Sequence, residues 1–219
     1  MISPTSANAA AIDELLGKAP VVPVLTVHDA ETAEPLARAL VEAGLPVLEV
    51  TLRTDAAIEA IRRMRGVDGA IVGAGTILSA ADLERAVAAG AEFAIAPGCT
   101  PVLYAAAAES PVPFIPAVAT ASEVMAGLER GWRRFKFFPA EAAGGLAALR
   151  SLAGPFADVR FCPTGGIDSG NAADYLALPN VITVGGSWMV PAEALKARDW
   201  TRIGELAGQA ASAAKAARK

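Results

Sequence analysis

One lysine stands where a buried strand would ordinarily carry an apolar residue. In Arg134-Phe135-Lys136-Phe137-Phe138-Pro139-Ala140-Glu141, two-residue alternation puts Lys136 and Phe138 on one face and Phe135 and Phe137 on the other. The amine of Lys136 therefore projects into an apolar interior. Burial disfavours the charged form of an amine, and the neutral form keeps a lone pair that attacks a carbonyl carbon to give a Schiff base. The ordinary alternative is a strand-end lysine that extends its ammonium group to water, so the residues around it decide.

A Schiff-base lysine needs a proton shuttle, because carbinolamine dehydration, carbon-carbon cleavage and enamine protonation each move a proton. In Val47-Leu48-Glu49-Val50-Thr51-Leu52-Arg53-Thr54, alternation gathers Glu49, Thr51 and Arg53 on one face and Leu48, Val50 and Leu52 on the other. Glu49 is the candidate shuttle, set against a plain ion pair to Lys136 or Arg53. Arg53 offers the planar fork that grips a carboxylate, though alone it also reads as a surface arginine at a helix start. Thr76 ends a third apolar run, and Thr164 shares a face with Cys162 in a seventh.

Two glycine-rich endings, Pro163-Thr164-Gly165-Gly166-Ile167 and Gly185-Gly186-Ser187-Trp188, let backbone N–H groups approach phosphate oxygens closely. Ser187 is expected both to donate to the phosphate and to cap a helix beginning near Trp188. Cys99 and Cys162 form no metal-spaced cluster, and with His28 the single histidine a zinc site or a Ser/His/Asp triad is hard to build. No metal and no cofactor are expected, and His28 reads as a solvated loop histidine.

These candidates need elements that converge them. After an N-terminal helix over 7–17, short apolar runs recur at 21–27, 47–52, 70–76, 93–97, 114–119, 134–139, 160–164 and 181–184. Helical patterns lie between them at 30–43, 55–65, 80–89, 121–130 and 145–152, several closed by Gly44, Gly66, Gly90 or Gly131, where a left-handed residue is wanted. Eight strands alternating with helices predict an α/β chain, a (β/α)8 TIM barrel with an additional N-terminal helix, as one domain over 1–219. An open doubly wound sheet would want a glycine-rich dinucleotide fingerprint after its first strand, and 21–27 is followed by none. In a barrel the strand C-termini form the site, so Glu49, Thr76, Lys136 and Thr164 meet at one mouth.

At 53% hydrophobic and 19% charged residues over 219 positions, the composition is that of a core-rich globular chain. Nineteen Lys+Arg against 23 Asp+Glu argue against nucleic acid as a partner, since phosphate backbones are held by basic faces. The N-terminus has no secretory pattern and no apolar run spans a bilayer, so no membrane partner and a cytoplasmic location are expected.

Five segments in this order, 47–54, Gly73-Ala74-Gly75-Thr76, 135–141, 160–167 and 185–188, resemble the 2-keto-3-deoxy-6-phosphogluconate aldolase family, over essentially the whole chain. The resemblance implies a class I aldolase of the Entner-Doudoroff pathway, which cleaves the six-carbon keto-acid phosphate to pyruvate and glyceraldehyde 3-phosphate; related members accept 4-hydroxy-2-oxoglutarate. By motif, Lys136 is then the Schiff-base nucleophile, Glu49 the acid/base, and Arg53 with Thr76 the clamp for the pyruvyl carboxylate. Gly165, Gly166, Gly186 and Ser187 receive the phosphate, and Thr164 lies beside the middle hydroxyls. A homotrimer is implied in the same way. Ala117 and Ala143 depart from the family pattern, which leaves substrate preference open: the galactonate-derived epimer is an alternative substrate, a phosphosugar isomerase or epimerase a further enzymatic reading, and a non-catalytic barrel that captures phosphorylated metabolites a third.

Overall fold

The computed structural model of the chain describes residues 4–217. Its strands are β1 (Val22–Leu25), β2 (Val47–Thr51), β3 (Ile71–Gly75), β4 (Phe93–Ile95), β5 (Phe114–Ile115), β6 (Ala117–Val118), β7 (Arg134–Phe137), β8 (Arg160–Pro163) and β9 (Gly185–Gly186). The helices are α1 (Pro4–Gly17), α2 (Ala33–Glu42), α3 (Ala57–Met64), α4 (Ala80–Ala88), α5 (Pro101–Ala108), α6 (Ala121–Glu129), α7 (Gly145–Ala153), α8 (Ala172–Leu176), α9 (Ala192–Lys196) and α10 (Trp200–Ala217).

All strand pairs are parallel, as the strand-helix beat requires. They form a curled six-stranded sheet, β5-β4-β3-β2-β1-β9, and a three-stranded sheet, β6-β7-β8. The expected fifth strand, 114–119, is thus two: Pro116, which has no N–H to donate, separates β5 from β6. The expected eighth strand is displaced. Within 181–184 only Val181 makes a bridge, to Phe161, and the last strand is the glycine pair Gly185–Gly186. A second bridge joins Thr164 to Gly185.

Alternation sorts the core into two layers. Leu48, Val50, Val72, Ala74, Phe135, Phe137 and Phe161 pack outward with the helices. Val22, Val47, Phe93, Ile95, Ile115 and Cys162 form a separate inner cluster with Ile12, Leu15 and Leu16 of α1. The N-terminal helix therefore closes one end of the strand-lined interior. It is tied there by Asn8, which donates to the Phe114 carbonyl at 3.3 Å and accepts from its N–H at 3.0 Å. Asp13 adds a two-pronged ion pair to Arg134, at 2.5 and 2.7 Å.

Helix ends follow local chemistry. Thr120 and Glu123 form a reciprocal capping box at the start of α6, while Ser79 and Thr100 cap α4 and α5. Gly44, Gly90 and Gly131 take the expected left-handed conformation; Gly66 does not, and Gly69 (φ 80°) makes that turn instead.

Candidate active site

β2 and β7 belong to different sheets, yet their inward side chains meet. Lys136 Nζ donates to both carboxylate oxygens of Glu49, at 2.9 and 3.3 Å, with the residues only 6% and 2% exposed. Such a pair has no partner in bulk water, and a proton can pass directly between the two groups. The lysine does not snorkel. Its strand neighbours are Ala117 and Cys162, in register on either side and both buried, and the Phe138 ring centroid lies 5.3 Å from Nζ. The surroundings are thus apolar apart from one carboxylate.

Gly75, on the strand beside β2, makes room for that carboxylate. A Cβ there would overlap Glu49 Oε1, and its Cγ would lie 2.7 Å away. The next residue, Thr76, holds φ at +61°, a left-handed conformation that a β-branched side chain adopts only under constraint. The constraint is visible on both sides: Leu52 N–H donates to the Gly75 carbonyl at 2.9 Å and Ile77 N–H to Ile95 at 3.2 Å. Thr76 is thereby presented to Arg53, whose Nε donates to Oγ1 at 3.2 Å. Arg53 is exposed, so its fork is open to an anion at the rim. Thr51 is fully buried, donates to the Leu25 carbonyl at 3.0 Å and lies 3.2 Å from the Thr26 hydroxyl.

Thr164 follows Cys162 by two positions, just past the end of β8, and so lies beyond Lys136, which is in register with Cys162. Its hydroxyl is buried without a hydrogen-bond partner among the described residues. A buried hydroxyl left unsatisfied is costly unless something binds there. The two glycine endings lie beside each other through the Thr164 to Gly185 bridge, with Gly165 and Gly166 both left-handed (φ 100° and 79°). Ser187 is exposed, but it caps no helix: its carbonyl accepts from Val190 N–H at 2.9 Å in a turn, and α9 starts only at Ala192, after Pro191. The expected cap is therefore wrong, because the four residues after Ser187 close a turn before any helix begins.

A cavity of about 860 Å³ is lined by Thr26, His28, Asp29, Ser187, Lys196 and Arg198 among others, and not by Lys136. Ser187 is the only residue of the expected site that touches it. The buried Lys136–Glu49 pair is not part of its wall. His28 is exposed at this cavity's edge.

Sequence reasoning missed the clearance at Gly75 and the strained Thr76. The signal for the first was present: Gly73 and Gly75 alternate on the inward face beside Glu49, and small residues at spacing two mark a place where large neighbours cross.

Known proteins place this geometry in context. The profile described as "Aldolase: KDPG and KHG aldolase" matches residues 12–206. The KHG/KDPG aldolase of Escherichia coli strain K12 is 53% identical over 204 residues, 93% of this chain and 96% of that protein. The crystal structure of the Zymomonas mobilis ZM4 2-keto-3-deoxy-6-phosphogluconate aldolase with 3-phosphoglycerate superposes with a TM-score of 0.88 at 51% identity, covering 92% of this chain and 95% of that one. The Legionella pneumophila KDPG aldolase, with pyruvate captured as a covalent carbinolamine, gives 0.86 at 47% identity, covering 94% and 96%. With a match that spans most of the chain and a buried lysine-carboxylate pair at its centre, the chain belongs to the KDPG and KHG aldolase family.

Proposed function

We propose that the chain cleaves 2-dehydro-3-deoxy-6-phosphogluconate to pyruvate and D-glyceraldehyde 3-phosphate, acts also on 4-hydroxy-2-oxoglutarate, and does so through a Schiff base on Lys136. It is a carbon-carbon lyase by family. The observation that carries the reading is the 2.9 Å contact between Lys136 Nζ and a Glu49 carboxylate that has almost no access to solvent.

The neutral amine of Lys136 attacks the ketone carbon, and loss of water leaves an iminium. Glu49 takes the proton from the hydroxyl two carbons along; the carbon-carbon bond breaks, the aldehyde leaves, and the electron pair settles as an enamine. Glu49 returns the proton to the enamine carbon, and one water hydrolyses the iminium, releasing pyruvate and restoring the amine. Arg53 and Thr76 hold the keto-acid carboxylate. Thr164 receives a substrate hydroxyl, and Gly165, Gly166, Gly186 and Ser187 hold the phosphate. The gluconate-derived epimer is favoured over the galactonate-derived one by the names of the relatives that are about half identical to this chain.

Both sheets are read as one closed (β/α)8 barrel in a single domain over 1–219. The break at Pro116, the bridges from Phe161 to Val181 and from Thr164 to Gly185, and the meeting of β2 with β7 side chains support this. A homotrimer in the cytoplasm completes the proposal; Leu78, Val102 and Met125, large apolar side chains left exposed, give it contact surface. Among the described residues no helix is long and apolar enough to cross a membrane.

Incubation with pyruvate and borohydride tests the chemistry: one reduced pyruvyl group is expected on Lys136 by peptide mass analysis. An unmodified polypeptide, with no product formed from the six-carbon substrate, overturns the proposal.

A further inference from the structure

Outside the pair that does the chemistry, several buried titratable groups have no role in the mechanism, and Tyr175 is one of them. Tyr175 of α8 is fully buried, and its hydroxyl donates to Glu141 Oε1 in a close hydrogen bond. Burial first, and then the contact with Glu141, push the phenol above its ordinary range, so it stays a donor. Glu141 follows the Lys136 strand, and its stem fills the space a side chain on Gly166 would need: a Cβ there would sit 2.6 Å from Glu141 Cγ.

Glu141, its neighbour Ala140 and Asn171 fix the turn through its carbonyls. Thr164 O accepts from Ala140 N–H at 2.8 Å, Gly165 O from Glu141 N–H at 3.0 Å, and Gly166 O from Asn171 Nδ2 at 2.9 Å. Asn171 is itself held, its Oδ1 accepting from Asp168 N–H at 3.0 Å. In a trans peptide the C=O and the following N–H point opposite ways, and among the described residues the only cis peptide is Phe138–Pro139. Three carbonyls turned toward the protein therefore turn the N–H groups of Gly165, Gly166 and Ile167 the other way. Gly165 N–H faces the Gly185 carbonyl across the parallel Thr164–Gly185 bridge, whereas among the described residues Gly166 N–H and Ile167 N–H donate to no protein acceptor. Successive unpaired N–H groups of this kind make an anion-binding concavity.

We propose that Glu141, Tyr175 and Asn171 are positioning residues that hold the successive Gly166 and Ile167 amides open for the phosphate end of the substrate, and so set affinity for phosphorylated keto acids without entering the Schiff-base step. The inference rests on the phosphate assignment made under the proposed function.

The test compares steady-state kinetics on 2-dehydro-3-deoxy-6-phosphogluconate and on the same keto acid without phosphate. Tyr175→Phe removes one hydroxyl and Asn171→Ala removes one carbonyl anchor; each is expected to raise KM for the phosphorylated substrate about five- to tenfold. The value of kcat, the KM for the unphosphorylated substrate and pyruvate trapping by borohydride are expected to stay as in the wild type. Glu141→Ala should behave like Tyr175→Phe, whereas Glu141→Gln keeps an acceptor for the phenol and should restore most of the lost affinity; this pair carries the test if Tyr175→Phe does not fold. An unchanged KM for the phosphorylated substrate, or equal changes on both substrates, overturns the inference alone. A wild-type enzyme that traps no pyruvate, or does not discriminate between the two substrates, overturns the reading beneath it and the inference with it.

Discussion

The two ends of the strand-lined interior obey one alternation rule and do opposite things. Toward the strand N-termini the inward residues are Val22, Val47, Phe93 and Ile115, sealed by Ile12, Leu15 and Leu16 of α1. Toward the C-termini they are Glu49, Thr51, Lys136 and Thr164, all buried. A single strand shows the change: β2 contributes Val47 to the apolar cluster and, two residues on, Glu49 to the ion pair. Alternation decides whether a side chain points inward, and distance along the strand decides what it meets there. Apolar area buried at the foot stabilises at roughly 25 cal/mol per Å². A charged pair buried at the mouth roughly breaks even or costs stability, so it is retained for what it does.

That contrast is broken most severely at Lys136. Lys136→Ala is expected to lower kcat about 10⁵-fold or more and to abolish the borohydride-trapped pyruvyl adduct. It also strands the Glu49 carboxylate, a loss of about 3 to 5 kcal/mol, so chemical denaturation should accompany the assay. Wild-type turnover in this variant would mean that the mouth is as inert as the foot. Glu49→Gln is the next largest: kcat is expected to fall about 10²- to 10⁴-fold while pyruvate is still captured, because the nucleophile is intact. If capture and turnover vanish together, Glu49 does more than move protons.

How much of this was legible follows from which interactions are local. Period two placed Lys136 and Glu49 on inward faces, and parallel pairing brought both to one end; their convergence needed no knowledge of distance. The division of 114–119 turned on Pro116, whose missing N–H is written in the sequence but lay inside an otherwise continuous apolar run. The displaced last strand was hidden because a pair of glycines carries no side-chain pattern, although Val22 N–H still reaches the Val184 carbonyl at 2.8 Å. To the helices picked out by periodicity the structure adds α5, α8, α9 and α10. Alanine-rich stretches such as 104–108 and 210–217 present little contrast between faces. The link between Tyr175 and Glu141 spans 34 residues and leaves no trace in spacing.

The foot supplies the reverse experiment. Leu16 is 1% exposed in the cluster that α1 shares with the strands. Leu16→Ala is expected to cost about 2 to 5 kcal/mol of unfolding free energy, from lost transfer and the cavity left behind. At a temperature where the protein stays folded, kcat/KM should remain within about twofold of wild type, since additivity holds for sites that share no partners. A large kinetic defect without unfolding would show that the plug acts on the mouth.

The smallest effect sharpens the comparison, because it sets an ion pair at the foot against the one at the mouth. Asp13 and Arg134 meet in two-pronged geometry, but their side chains are 44% and 18% exposed, against 2% and 7% for Glu49 and Lys136. Water screens the outer pair and solvates either partner when the other is removed, so Asp13→Ala is expected to cost about 0.5 to 1 kcal/mol, the upper part of the surface range, given the bidentate fork. Arg134 is not orphaned by the change, since it also donates to the Arg133 and Asp158 carbonyls at 3.2 and 3.1 Å. For a chain of this length that is a melting shift of about 1 to 4 °C, and it should shrink as salt is raised, because exposed charges are screened within about 10 Å at 0.1 M ionic strength. Calorimetry of wild type and Asp13→Ala at low and high salt reads it directly. A loss as large as that of Lys136→Ala, or one indifferent to salt, would mean that α1 is held by this charge pair rather than by Ile12, Leu15 and Leu16.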